Sequence, residues 1–181
     1  MAKTTYICWT RWVSDLRFTW CAVLLVSVLP SALYGTAFSS MILLVGGVIL
    51  GFPSALASLL LSKEAALRAR LFRRAVVLTS MPALMLAVIV QTDKLTPQMA
   101  APIVEAVESY KQDNGAYPDS LAALSPEYLP GLPRVRFSVV QPAVSYRVKK
   151  GQPYLVVPSA AGDAFAIYEY NFEERRWAHY N

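Results

Sequence analysis

Charged residues are scarce in this chain of 181 residues. Asp, Glu, Lys and Arg together make up 16% of the sequence, whereas hydrophobic residues make up 55%. A soluble domain of ordinary composition carries about 25% charged residues, and the mean hydropathy of this chain is +0.38. The shortage of charge therefore predicts a protein that is embedded, at least in part, in a membrane.

Cysteine and histidine are also rare, since the chain has two cysteines and one histidine. These numbers exclude a disulfide framework, a four-thiolate zinc site and the two-histidine helix of a metalloprotease. The sequence also contains no Gly-x-Ser-x-Gly, P-loop or Cys-x-x-Cys motif. We therefore expect no catalytic residue, no cofactor and no metal, and we predict a protein that is not an enzyme.

The stretch Phe18–Ser62 contains no charged residue. One helix needs about 20 apolar residues to cross a bilayer, so this stretch is long enough for two helices. We predict spans over residues 18–34 and 39–61, and a third span over the uncharged residues 75–92. The chain is thus expected to cross a membrane three times.

Lysine and arginine residues near the span ends indicate the orientation, because segments that contain them resist translocation. Lys3, Arg11 and Arg17 precede the first span, and the loop 63–74 holds five Lys or Arg residues against one Glu. Both segments are therefore predicted to be cytoplasmic. An odd number of spans then places the C-terminal domain, residues 93–181, on the outer side.

This division gives a membrane domain at 1–92 and an outer domain at 93–181. We interpret the chain as a multi-pass protein of a bacterial inner membrane with a periplasmic C-terminal domain. The surplus of basic residues lies beside the membrane, so we expect no nucleic-acid partner. An alternative is that the first span is a signal sequence cleaved at the small-x-small site Gly35-Thr36-Ala37.

Gly47 and Gly51 lie four residues apart in the second predicted span. This GxxxG spacing lets two helices approach closely. It favours packing within the three-helix bundle, with formation of a homo-oligomer as the alternative.

The outer domain begins with a pattern typical of an amphipathic helix. Thr96 is in the position of an N-cap, Pro97 is in the first helical position, and the helix is expected to end at Asn114 with Gly115 as its left-handed cap. The apolar residues recur at steps of three and four: Met99, Ile103, Ala106, Val107 and Tyr110. Whether this helix continues from the third span or is separated from it by a break stays open.

The pattern then changes to strict alternation, which predicts half-buried antiparallel strands. The alternating segments are residues 135–139, 144–148, 154–157, 164–172 and 176–180, with a hairpin tip at 173–175. We predict an α+β fold in which the amphipathic helix packs on a four- or five-stranded antiparallel sheet. Tyr168 and Tyr170 are candidate interaction residues, because aromatic rings with polar tips favour interfaces.

The residues around the end of the amphipathic helix carry a motif, Tyr110-Lys-Gln-Asp-Asn114-Gly115-Ala-Tyr117-Pro118, followed by Leu121 and Leu124. It resembles the helix end and following loop of the major pseudopilins of type II secretion and of type IV pilin-like proteins. The resemblance covers residues 96–180 only, and the region with three spans does not match it. It implies a pilin-like head domain in which these seven residues have a structural role.

We therefore predict a non-enzymatic inner-membrane protein with a periplasmic, pilin-like interaction domain, acting as an accessory of an envelope secretion or pilus system. Its expected partners are the membrane and one or more periplasmic proteins, and a homo-oligomer through Gly47 and Gly51 is the alternative to packing within the bundle. The alternatives are an envelope sensor, or a small membrane enzyme or transporter component whose site has no recognised motif.

Overall fold

A computed structural model describes residues 16–149, 152–161 and 165–181 of the chain. The fold is α+β and combines helices with a four-stranded antiparallel sheet. Lys3 and Arg11, on which part of the predicted orientation depends, lie outside the described residues, as does Ala164 at the start of a predicted strand.

Three long helices match the predicted spans: α1 (Arg17–Tyr34), α2 (Phe38–Leu61) and α3 (Ala65–Asp93). All three are long and apolar enough to cross a membrane, with hydropathies of 1.4, 2.1 and 1.9 in their most apolar windows. α1 and α2 begin and end within one residue of the prediction. Each contains one π-helical turn, at Leu24–Val28 and Gly47–Gly51 respectively.

α3 is ten residues longer at its N-terminus than the predicted third span. The predicted basic loop 63–74 is therefore wrong for most of its length, since only Ser62–Glu64 separates α2 from α3 and the four arginines lie on the helix. Arginine interrupts an apolar run without interrupting a helix, because its helix propensity is close to that of leucine. A helix of 29 residues extends over roughly 43 Å, which exceeds the hydrocarbon thickness of a bilayer.

The chain divides into two compact units. The first contains the described residues up to Ala32 together with Thr36–Val88, and the second contains Leu33–Gly35 together with Ile89–Asn181. The second unit thus includes the last two residues of α1, the glycine after them and the last turn of α3.

Small residues mediate the helix packing in the first unit. Ser40 is buried, and its Oγ lies 2.7 Å from Ser27 Oγ and 3.0 Å from Ser31 Oγ. A Cβ atom added to Gly47 would lie 2.8 Å from the carbonyl oxygen of Leu78. Gly47 therefore lies against the backbone of α3, where no larger residue fits.

Gly51 repeats this arrangement one turn later, where a Cβ atom would lie 3.4 Å from Ala75 Cα. The GxxxG face is thus occupied by α3 of the same chain.

The amphipathic helix is separate from the third apolar helix. α3 ends at Asp93, and two further helices follow, α4 (Thr96–Met99) and α5 (Ala101–Asn114). The break falls at Ala100, and Pro102 lies in the first turn of α5, where its missing amide hydrogen leaves no intrahelical hydrogen bond unmade.

The predicted N-cap was wrong and the predicted C-cap was right. Thr96 is the first residue of α4, and its hydroxyl lies 3.5 Å from Asp93 Oδ1 instead of capping an amide. Gly115 has φ +74° and donates its N–H to the carbonyl oxygen of Lys111 at 2.8 Å. The helix therefore ends at a left-handed glycine, as the sequence indicated.

The sheet has the order β1-β2-β3-β4 with every neighbouring pair antiparallel. The strands are β1 (Ser145–Lys149), β2 (Gln152–Pro158), β3 (Ile167–Asn171) and β4 (Arg176–Tyr180). They confirm four of the five predicted strands and the hairpin turn between the last two.

The predicted strand at 135–139 is wrong, because these residues form a series of bends. The amides of Val135 and Arg136 donate to Gln141 Oε1 at 3.0 and 3.2 Å, and Gln141 Nε2 donates back to the Ser138 carbonyl at 2.7 Å. One glutamine side chain thus supplies the hydrogen bonds that a neighbouring strand would otherwise provide.

The core of the second unit lies between α5 and the sheet. Ile103 and Val107 from α5 meet Leu155 and Val157 from β2, and all four are fully buried. The 3-10 helix Leu121–Leu124 covers one end of this core with Leu124. The alternation of β2 buries every second residue, as the sequence pattern predicted.

Alanine substitutions at Gly47 and at its neighbour Gly46 test the packing of α2 on α3. Both change the helix propensity equally, but only the change at Gly47 creates a steric clash. Gly47→Ala forces α2 and α3 apart, and overpacking of this kind costs about 1–3 kcal/mol, so the melting temperature in detergent should fall. Gly46→Ala meets no atom within 4 Å and should leave the melting temperature unchanged or raise it slightly. Equal effects of the two changes would contradict the packing described here.

Candidate functional site

Asp93, the last residue of α3, is a buried carboxylate with 3% of its surface exposed. Its Oδ2 accepts hydrogen bonds from Ser159 Oγ at 2.7 Å and from the Tyr168 hydroxyl at 3.1 Å. Its Oδ1 accepts from the amide of Ala160 at 2.7 Å, and Thr96 Oγ1 lies 3.5 Å away. We call these five residues the Asp93 cluster.

The Asp93 cluster joins the C-terminal end of α3 to the sheet of the second unit. Ser159 and Ala160 follow the last residue of β2, and Tyr168 lies in β3. A buried carboxylate is tolerated only where donors replace its hydration, and here donors reach both oxygens. Both oxygens of this carboxylate therefore accept hydrogen bonds from the fold itself.

Arg136 is a second buried charge in the same unit, with 8% of its surface exposed. Its Nη2 donates to the Pro158 carbonyl at 2.6 Å and its Nη1 to the Tyr34 carbonyl at 3.2 Å. Burial lowers the pKa of Arg136, and the charge of Asp93 acts in the opposite direction. The guanidinium thus connects the end of α1 to the end of β2 through main-chain oxygens.

Gly35 allows this connection. It has φ +65°, and an added Cβ atom would lie 2.5 Å from Arg136 Cδ and 3.2 Å from Ser138 Cβ. Only glycine combines this backbone conformation with so close an approach.

Tyr168 keeps its proton at neutral pH. Burial raises its pKa to about 12, and the neighbouring Asp93 adds to the shift through its charge and through the hydrogen bond that it accepts. Tyr168 therefore acts as a neutral donor to a carboxylate. Its ring lies against His179, with 4.5 Å between the ring centroids.

Tyr170, the other candidate interaction residue, lies in the core. Its side chain is 8% exposed, and its ring packs against Phe172 and Trp177 at centroid distances of 5.0 and 5.2 Å. Burial is the main cause that raises its pKa. The ring of Tyr170 consequently offers little surface to a partner.

The motif residues gather around the end of α5. Asn114 Nδ2 donates to the Tyr110 carbonyl at 3.0 Å and to the Tyr128 hydroxyl at 3.3 Å, and the Tyr128 ring meets the Tyr110 ring edge-on at 5.4 Å. Tyr117 packs edge-on against Phe172 at 5.7 Å. These contacts attach the end of the helix to the following loop.

The other three motif residues contribute to the core. Pro118 and Leu124 are fully buried, and Leu121 packs against the same cluster. The motif thus stabilises the fold at the point where the chain leaves α5.

A shallow depression of about 190 Å³ lies beside this motif, lined by Glu108, Lys111, Gln112, Tyr117 and Arg175. Its charged groups are already engaged, since Arg175 Nε lies 3.7 Å from Glu108 Oε1 and Lys111 Nζ lies 4.0 Å from the centre of the Tyr117 ring. The Arg175 side chain is 74% exposed, and exposed ion pairs of this kind contribute little.

No group of three or more His, Cys, Asp or Glu residues that could hold a metal ion occurs in the part of the chain that the structure describes. Sequence reasoning used Asp93 only as a domain boundary and missed its burial. The available signal was its position, because it is the first acidic residue after a long apolar run.

Comparisons with protein-family models, with curated proteins and with solved structures found no match to this chain.

Replacement of Tyr168 by Phe tests the Asp93 cluster. Loss of a hydrogen bond to a buried carboxylate should lower the free energy of unfolding by about 1–3 kcal/mol at pH 8. The folded-state pKa of about 12 exceeds the unfolded value of 10.0, so the stabilisation by Tyr168 is complete below pH 10 and is lost as the pH rises toward 12. Tyr168→Phe should therefore flatten the alkaline loss of stability, measured by unfolding at pH 8–12.

Tyr180→Phe is the matched control, because Tyr180 lies on β4 with 52% of its surface exposed. Tyr146 also has its pKa raised to about 12, chiefly by burial, so part of the alkaline slope should persist in both variants. An unchanged slope in Tyr168→Phe would contradict the structural role of this hydroxyl.

Proposed function

We propose that this chain is a multi-pass membrane protein in which α1, α2 and α3 span the bilayer. The observation that carries this proposal is the large apolar surface that the three helices expose. Only 22%, 17% and 22% of the most apolar windows of the three helices are buried, and large apolar residues such as Leu50, Leu60 and Leu61 are 71–84% exposed. Apolar surface of this extent is unfavourable in water and matches lipid.

The residues that are buried between these helices also support this proposal. Ser27, Ser31, Ser40 and Ser58 are buried between the helices, where leucine would be expected in a water-soluble bundle. Small residues and hydroxyl groups mediate helix packing in membranes, because lipid supplies no hydrophobic force that drives the helices together.

The distribution of charge supports a cytoplasmic location for the segment between α2 and α3. Lys63 lies in the link before α3, and the four arginines between positions 68 and 74 lie in the N-terminal part of α3. This helix is longer than the hydrocarbon thickness of a bilayer. The positive-inside rule then assigns Arg17 and Lys63 to the cytoplasm and the second unit to the outer side. We infer an inner-membrane protein of a bacterium with a periplasmic head.

The head is proposed to be a non-enzymatic, pilin-like interaction domain that serves a secretion or pilus system. Two features support this role. The motif of residues 110–124 is built into the end of α5 and its loop, and the buried charges of Asp93 and Arg136 are bonded to groups of the fold. The buried charges of the head are thus occupied within the fold, and its outer surface is available to another protein.

Cysteine accessibility tests the topology. In a background of Cys8→Ser and Cys21→Ala, Ser62→Cys and Glu173→Cys place single thiols in the α2–α3 link and on the β3–β4 turn. A membrane-impermeant maleimide should label Glu173→Cys in intact spheroplasts and should label Ser62→Cys only after permeabilisation. The reverse pattern would invert the proposed topology, and labelling of both before permeabilisation would argue against a three-span protein.

Cross-linking tests the partner class. The tagged full chain, cross-linked in the periplasm and solubilised in mild detergent, should be recovered with components of a secretion or pilus system, identified by mass spectrometry. A matched sample in which cross-linking is restricted to the cytoplasm should not contain them. Recovery of the chain alone, or as a multimer of itself, would contradict the accessory role.

A further inference from the structure

Within the loop 134–141 of the second unit, residues 136–140 expose apolar side chains and bury polar ones. Phe137, Val139 and Val140 are 60%, 66% and 47% exposed, whereas Arg136 and Ser138, which alternate with Phe137 and Val139, are 8% and 7% exposed. We call Phe137, Val139 and Val140 the apolar tip. This arrangement is the opposite of that expected for a loop facing water.

The apolar tip is held in this conformation by hydrogen bonds. Ser138 Oγ donates to the Val140 carbonyl at 2.7 Å, and Gln141 Nε2 donates to the carbonyls of Ser138 and Arg136 at 2.7 and 3.1 Å. A rotation that buried Phe137 would expose the Arg136 side chain and break its bonds to main-chain oxygens. The exposure of the tip is therefore built into the fold.

The same loop is attached to the end of the first apolar helix. The Val140 amide donates to the Leu33 carbonyl at 2.8 Å, and Arg136 Nη1 donates to the Tyr34 carbonyl at 3.2 Å. Leu33 and Tyr34 are the last two residues of α1, and the close approach of Gly35 to Arg136 fixes the turn that follows.

We propose that the apolar tip enters the outer leaflet of the bilayer at its interface with water, so that the head is anchored to lipid as well as to the helices. This inference rests on the proposed function, which makes α1 a spanning helix. If α1 spans, its last residue lies at the outer interface, and a loop bonded to that residue lies at the same depth. Tyr34, itself 53% exposed, is of the residue type enriched at such interfaces.

Attachment to Leu33 and Tyr34 identifies the bilayer as the occupant. A surface for a protein partner could lie anywhere on the head, whereas this exposed apolar segment is bonded to the residues at which an apolar helix ends. Exposed Arg134 at the start of the loop adds a cation that can meet lipid phosphate.

Spin labelling of the full chain in vesicles of phosphatidylethanolamine and phosphatidylglycerol tests the proposal. In the Cys8→Ser, Cys21→Ala background, labels are placed at Phe137→Cys and Val139→Cys. Glu173→Cys at the opposite end of β3 is the aqueous control, and Leu84→Cys on the exposed face of α3 is the lipid control. Collision with oxygen reports lipid, and collision with a water-soluble nickel chelate reports water.

The labels at 137 and 139 should show a ratio of oxygen to nickel accessibility several-fold above that at 173 and below that at 84. If the label at 84 reports lipid while those at 137 and 139 match 173, the apolar tip does not enter the bilayer, and the membrane assignment stands. If 84 itself reports water, both the inference and the proposed function fail. Labels at 137 and 139 that are shielded from both reagents would overturn the inference in favour of contact with a protein.

Discussion

The second unit depends on one buried carboxylate. Asp93 ends the third long helix, and its two oxygens bind donors from the end of β2 and from β3. Burying this charge without partners would cost several kcal/mol, so the carboxylate can be buried only because these donors reach it. The hydrogen bonds also fix where α3 stops, because the side chain that receives them belongs to its last residue. One group of hydrogen bonds thus links the last residue of α3 to the two central strands of the sheet.

The two units use opposite rules for burial. In the first, buried serines and Gly47 lie between the helices beside a small apolar cluster of Leu16, Val23 and Val77, and many leucines are exposed. In the second, Ile103, Val107, Leu155 and Val157 form a conventional apolar core. The same residue types therefore have different positions in the two units, which is the difference expected if the first unit lies in lipid as proposed. Within the second unit, Arg136 is a buried charge whose guanidinium is bonded to the main-chain oxygens of Tyr34 and Pro158.

Local patterns predicted those features of the fold that local chemistry determines. Uncharged runs gave the ends of α1 and α2 to within one residue, Gly115 gave the end of α5, and alternation gave four strands. The N-terminal end of α3 was not predictable from charge, since arginine continues a helix as readily as leucine. The roles of Asp93 and Gln141 were not predictable either, because their partners lie 67 and six residues away in sequence and the pairing exists only in the folded chain.

The segment 135–139 shows why alternation predicted a strand that does not form. A period of two indicates that two faces of a chain differ in polarity, but it does not indicate which face is buried. A half-buried strand would direct Val135, Phe137 and Val139 inward together. Here Val135 is buried, but Phe137 and Val139 are exposed and Arg136 and Ser138 are buried in their place. Arg136 Nη1, Arg136 Nη2 and the Ser138 hydroxyl donate to main-chain oxygens, which offsets much of the cost of burying them, whereas Arg136 Nε has no partner. An alternating segment next to an apolar helix can therefore present its apolar face outward, and in such a place the position of the nearest apolar helix is the better guide to orientation.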